Sequence, residues 1–251
     1  MKISVITVTL NNGKFLQGTI DSVMGQYHKD IEYIIVDGGS NDSSDSIIQN
    51  AISKYGDTIK YYSLPANGVY NAINFGIKKA TGDVIGLLHG NDKFAAIDIL
   101  TLVDIAFQDN SRMAVFGDVY YVKPSSGKRI RTYSAKGFTP DKLRCLFAPP
   151  HPSLFLRRNV YENFGVYKEN YITAADFEYI VRILGKENVK YKYIPVEMVE
   201  MTVGGMSTTF YNRLFTNPKE KIRGLRENGF KVSWTGVIGR YISLLFSLIK
   251  F

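Results

Sequence analysis

One cysteine, one tryptophan, three histidines and eight prolines in 251 residues close off several chemistries at once. Cys145 has no second thiol to pair with inside the chain, so the fold must rest on its core, and a reducing compartment is expected. His28, His89 and His151 lie far apart in sequence and give no Cys/His spacing of a structural zinc site. No run of about 20 apolar residues occurs, so no membrane-spanning helix is expected. Met1-Lys-Ile-Ser-Val enters a β-rich run at once, without a small-residue cleavage site, and no secretory leader is expected. There is no RNA-binding signature and no ladder of basic and aromatic residues, so nucleic acid is set aside as a partner.

What the chain does have is ample apolar content, 45% of residues, and a charge that is unevenly placed. Residues 1–121 carry nine Lys/Arg against thirteen Asp/Glu, whereas 122–251 carry twenty-two against ten, within a total of +8. An acidic half that suits a metal-bearing ligand is followed by a basic half that suits an anionic partner.

β-rich runs at Ile3–Leu10, Ile31–Val36, Ile59–Leu64 and Val84–Leu88 read as strands. Helical patterns over Gln17–Tyr27, Asp45–Lys54 and Tyr70–Ala80 lie between them. That alternation predicts βαβ units around a mostly parallel sheet. Downstream, Ala95–Phe107, Asn159–Phe164 and Ala174–Leu184 read as helices, and Ala114–Val122, Arg129–Ser134 and Tyr191–Ile194 as strands. Two of the early strands stop at carboxylates: Ile34-Ile-Val-Asp37-Gly-Gly-Ser40-Asn-Asp42, and Leu87-Leu-His89-Gly90-Asn91-Asp92. Acidic groups delivered at the carboxyl ends of parallel strands mark a ligand site, here for a nucleotide with phosphates and a metal. Asp37 could read an imide N–H of uracil or serve as a turn cap, and Asp42 reads as a helix N-cap. Asp92 could meet a cation or be a solvated loop residue.

These segments, with Ser4-Val-Ile-Thr-Val-Thr9-Leu-Asn11, Gly68-Val-Tyr70-Asn71-Ala-Ile-Asn74-Phe-Gly76, Ala80-Thr-Gly82-Asp, Ala174-Ala-Asp176-Phe-Glu178 and Gly204-Gly205-Met-Ser207, resemble the inverting family 2 glycosyltransferases of GT-A fold. Within that family the branch building bacterial O-antigen and other surface polysaccharides looks nearest. The resemblance implies an α/β GT-A domain over 1–210, with a nucleotide-sugar half (1–115) and an acceptor half (116–210). It implies a UDP-sugar donor, with Thr9, Asn11, Asp37, Asn71 and Asn91 on the nucleotide. It places Asp92 on a divalent metal, manganese before magnesium, with His89 or Asn91 as further contacts, and Asp176 as the base. Glu178, two residues further along a helix, would point elsewhere. His151, Gly204 and Gly205 would meet acceptor or diphosphate. The Gln-x-x-Arg-Trp motif of processive relatives does not occur, which implies one sugar per encounter. The acceptor implied is a lipid-linked (polyprenyl-diphosphate) glycan. A nucleotide-sugar binder without turnover is the alternative, because the acidic cluster is thinned to one carboxylate.

The carboxyl end differs in kind. Across 211–251, and most clearly over Val237–Phe251, polar and apolar residues separate onto two helical faces. This predicts a basic amphipathic tail lying on the inner leaflet of a membrane, with a terminal helix packed on its own domain as the other possibility. The expected location is therefore cytoplasmic and peripheral to the inner membrane.

Overall fold

Strand β1 (Ile3–Thr9) is buried along its whole length and sorts its side chains by parity. Ile3 and Val5 enter a core layer with α1 (Gly13–Met24), α2 (Ser44–Tyr55) and α4 (Ile99–Ala106). Ile6 and Val8 enter the opposite layer with α3 (Val69–Lys79), α5 (Arg158–Phe164), α6 (Ala175–Leu184) and α7 (Asn217–Glu227). A strand covered on both faces is rich in apolar residues throughout, and the polar ones here, Ser4, Thr7 and Thr9, are small and buried too. The chain is a computed structural model that describes residues 1–185, 189–204 and 216–239.

β1 pairs in parallel with β2 (Ile31–Asp37) and β4 (Val84–Leu87), and β2 with β3 (Ile59–Ser63). The sheet continues from β4 through β8 (Phe155–Arg157), β6 (Ala114–Val122) and β9 (Tyr191–Thr202) to β5 (Asp92–Phe94), with β7 (Arg129–Tyr133) paired to β6. The parallel expectation holds for the first four strands and for β6–β9. β8, β7 and β5 all pair antiparallel, so the sheet as a whole is mixed.

Three departures from the sequence reading have causes distant in sequence. α1 begins at Gly13, before Gln17, because Asp42 accepts the Gly13 N–H at 2.8 Å and so caps it from another loop. Residues 92–94 are a strand, and the following helix starts at Ile99; three residues carry no periodicity, and their partner lies about a hundred positions downstream. β9 runs on to Thr202 through Pro195, which lies where the β6–β9 register shifts between Phe116 and Asp118. A bulge is where a strand can house a proline.

α7 packs on α6, with Leu225 fully buried. Burying a leucine contributes about 2 kcal/mol. The region read as tail therefore begins with a helix seated on the domain. Residues 234–239 are also helical. There Val237 is buried while Trp234 and Ile238 stand 56% exposed. The rest of the expected terminal helix lies outside the described residues.

Candidate active site

Thr9 and Asp37 are register partners at the ends of β1 and β2. Asp37 is buried, and its carboxylate organises the turn that follows. Oδ2 accepts the N–H groups of Gly39 (3.2 Å) and Ser40 (2.8 Å), and Oδ1 accepts the Ser40 hydroxyl at 2.5 Å. Two carboxylate oxygens offer about four acceptor positions, so three local donors leave room for one more. Asn11, at φ +52°, reaches across to the same turn: its N–H donates to Ser40 Oγ (2.8 Å) and its Oδ1 accepts from Asn41 N–H (2.9 Å). Leu10 is 47% exposed and lies against Gly38, an apolar surface beside the buried carboxylate. Asp42 does cap: Oδ1 accepts Ser44 N–H at 2.9 Å, at the start of α2.

Thr9 Oγ1 is buried without a hydrogen-bond partner, and Gly90 closes over it. A Cβ on Gly90 would stand 2.7 Å from that hydroxyl, so only glycine lets the loop pass. Beyond Gly90, Asn91 donates to Thr202 O (3.2 Å) and Asp92 Oδ1 accepts Thr202 N–H (3.3 Å). Asp92 is 2% exposed, and burial pushes its carboxyl up to about 7. Gly204, at φ +127°, follows two residues after Thr202, while Gly205 lies outside the described residues.

A second group of residues meets one strand away. His89 Nε2 stands 2.8 Å from His151 Nε2, and His151 Nδ1 stands 3.0 Å from Asp176 Oδ2. Burial opposes charge on Asp176, but the hydrogen bond and field of His151 outweigh it and hold the carboxyl below its ordinary value. Burial, then His151, pulls His89 down to about 3, which keeps that ring neutral. With Asp176 ionised, His151 Nδ1–H is the donor of the bond between them. Asp176 Oδ1 is left buried with no partner. Glu178 is fully buried and paired with Arg182 (2.8 Å) and Lys168 (3.0 Å), which removes it as a base. His151 also acts on Asp92, lowering it against the effect of burial, so one imidazole lies within electrostatic reach of both carboxylates.

Asn71 stands apart from these groups. Its amide donates to Glu169 Oε2 (3.0 Å), as that of Asn74 does to Oε1 (2.9 Å). The His89–His151 contact spans 62 positions; its only sequence signals were the Gly-rich loop around one ring and the prolines flanking the other.

Among the described residues no three His, Cys, Asp or Glu side chains form a ready-made cation cage. A buried carboxylate raised to about 7, with no Lys or Arg paired to it among those residues, still fits a hard cation. Such an ion commonly takes one or two carboxylates, with the rest of its shell from substrate phosphates and water.

The family model for glycosyl transferase family 2 matches residues 4–164, from β1 through α5. The chain belongs to glycosyl transferase family 2. A "PGL/p-HBAD biosynthesis glycosyltransferase" of Mycobacterium bovis is 28% identical over 214 residues, covering 84% of this chain and 81% of its own. A glycosyltransferase of Mycobacterium tuberculosis is 30% identical over 185 residues, covering 72% of this chain and 68% of its own. Among solved structures, Staphylococcus aureus TarS 1–349 in complex with UDP-GlcNAc superposes with a TM-score of 0.72 at 16% identity. The superposition covers 91% of this chain but 65% of that one, less than two thirds. A Pyrobaculum calidifontis mannosyltransferase in complex with GDP-Man and Mn2+ gives 0.67 at 15% identity, over 90% of this chain and 67% of that one. The family 2 fold of this enzyme is thus GT-A, a mixed α/β sheet between helical layers.

Proposed function

We propose that this family 2 glycosyltransferase moves a sugar from a UDP-sugar to a hydroxyl of a lipid-linked glycan with inversion, one sugar per encounter, in the making of a bacterial surface glycan. The observation that supports the reading is the His89–His151–Asp176 chain, which keeps one carboxylate ionised as a base, with the buried carboxylate of Asp92 three residues after His89 for the diphosphate side.

Asp37 offers its remaining acceptor position to the uracil imide, with Leu10 beside it and Thr9 and Asn11 shaping the loop edge. Asn91 holds the turn that presents Asp92. Asp92 would hold the divalent metal, manganese in preference to magnesium, which when bound neutralises charge on the diphosphate. At the other side the acceptor hydroxyl gives its proton to Asp176 as its oxygen bonds to the anomeric carbon, and the bond from that carbon to the UDP oxygen breaks. The His151 Nδ1–H holds the Asp176 carboxylate in place and ionised until then. Attack opposite the leaving group inverts the α-linked donor to a β product.

For the acceptor, the support is charge and surface. The second half is strongly basic, and the helix over 234–239 exposes Trp234 and Ile238 on one side. No helix among the described residues is long and apolar enough to cross a membrane. A peripheral seat on the inner leaflet, with the remaining tail laid in the interface, brings the site to a diphosphate lipid.

Asp176→Asn is the deciding variant: the amide is nearly isosteric but cannot take a proton. Transfer should fall about 10²–10⁴-fold with UDP binding unchanged. Transfer within a few-fold of wild type would remove Asp176 from the role.

A further inference from the structure

The helix that carries Asp176 does not cap itself. Its N-cap residue is Ala174, which has no side-chain acceptor, yet the N–H groups of residues 172–175 all find partners. Glu220, from α7, takes them: it accepts the N–H groups of Ile172 (2.7 Å), Thr173 (2.8 Å) and Ala174 (3.0 Å) and the Thr173 hydroxyl (3.0 Å). The next N–H, that of Ala175, goes to the Tyr70 hydroxyl at 3.1 Å. The Ala174 and Ala175 N–H groups are among those a helix start leaves orphaned, and a carboxylate there is the acceptor the dipole favours.

The rest of α7 holds the same segment. The Arg223 guanidinium lies 4.4 Å over the Tyr171 ring and donates to Asn170 O at 3.2 Å. Glu227 accepts from Lys168 (2.8 Å) and the Tyr171 hydroxyl (2.9 Å). Gly224 lets the two helices touch, since a Cβ there would stand 3.1 Å from Glu178 Cβ. Residues 168–174, which lead into Asp176, are therefore clamped by a helix that lies outside the family-matched stretch 4–164.

We propose that Glu220 is a positioning residue for sugar transfer: it fixes residues 172–174, up to the N-cap of α6, and so sets where Asp176 stands relative to His151 and the incoming hydroxyl. The proposal rests on the reading of Asp176 as the base. Freed of its cap, the turn can shift by a fraction of an ångström while Asp37 and Asp92, on other elements, stay in place. A misplacement of about 1 Å costs on the order of 10²-fold in rate.

The test is steady-state transfer by Glu220→Ala and Glu220→Gln, with rates normalised to UDP-binding sites. Glu220→Ala is expected to lower kcat roughly 10–100-fold with the donor KM within twofold of wild type. Glu220→Gln, which keeps one acceptor oxygen, should fall between the two. A kcat per binding site within twofold of wild type in both variants overturns the proposal, whatever happens to Tm, and so does a loss that falls on donor KM. If the Ala variant does not fold, the Gln variant decides alone: threefold or more off kcat at unchanged KM supports the role, and anything less overturns it. Asp176→Asn separates the two readings. Wild-type transfer by Asp176→Asn would remove the base itself, whereas its loss beside intact Glu220 variants would remove only the positioning role.

Discussion

Replacing Asp92 should strengthen the folded protein while disabling it. Its carboxyl is almost fully buried, and burial raises it from 3.8 to about 7. The unfolded chain releases this proton near pH 3.8, whereas the folded chain keeps it until about pH 7. The unfolded state therefore binds fewer protons over that interval, and stability falls as pH rises through it. At about 1.4 kcal/mol per pH unit, a gap of about three units amounts to about 4 kcal/mol at its limit, lost between pH 4 and 7 and constant above. Asp92→Asn mimics the protonated form and keeps an oxygen for the Thr202 N–H. In urea unfolding with chelator present, the wild type should lose about 1.4 kcal/mol per pH unit relative to the variant between pH 5 and 7. The variant should be the more stable protein at pH 8. Manganese and UDP should narrow the gap, stabilising the wild type by about 2.7 kcal/mol at a hundredfold excess over Kd and the variant far less. Parallel pH–stability curves would refute burial as the controlling influence on Asp92, and equal stabilisation of both proteins by manganese–UDP would refute its role toward the metal.

At the base pocket, calorimetry should find UDP bound well above CDP, and Asp37→Ala should erase the difference; equal affinities in the wild type would sink the uracil assignment. Glu32, at the other end of the sheet, is 2% exposed and accepts from Ser4 (2.5 Å), Lys60 (2.5 Å) and Thr81 (2.7 and 2.8 Å). Burial opposes its charge, but these donors win and bring it from 4.5 down to about 2. It thus contributes roughly 3 kcal/mol that is fully present above pH 4.5 and lost as pH falls through 2. Glu32→Gln should cost about that much at neutral pH in a denaturant titration. For the tail, deletion must start after Gly239, because Val237 is buried and a Cβ on Gly236 would strike Cys145. Removing residues 240–251 should release the protein from anionic vesicles in a sedimentation assay while donor hydrolysis persists, and an unfolded product would show the tail to be core.

How legible all this was depended on where the information is stored. β1, β2 and β4 announce themselves because they are buried along almost their whole length and rich in Ile, Val and Leu, and β3 because its short β-rich stretch follows a helical one. Asp37, Asp92 and Asp176 each sit beside a local marker, a Gly-rich turn or a helix start. What remained hidden is held by long-range pairing. β5 is three residues whose only reason to be extended is β9, and β9 continues past Pro195 because a register shift absorbs it. The His89–His151–Asp176 chain joins three segments that no spacing connects. Glu220 was the furthest from view, since a glutamate in a basic, amphipathic stretch reads as one more surface charge until α7 is seen lying across the entrance to α6.

Residues 88–94 look like the kind of surface loop that absorbs insertions during evolution or design. Leu88 N–H donates to Ile6 O and Gly90 N–H to Val8 O, so the segment is anchored to β1 before it turns. Two residues later Asp92 pairs with Met201, which in turn pairs with Tyr121 of β6. Adding or removing one residue here would turn every β5 side chain to the opposite face. Asp92 would then point away from its site and Phe94 out of the core. Length variation belongs instead in the exposed turn over 123–128, where Gly127, at φ +64°, has nothing within 4 Å of where a Cβ would lie. An affinity tag or reporter peptide spliced into that turn is the insertion this architecture can carry.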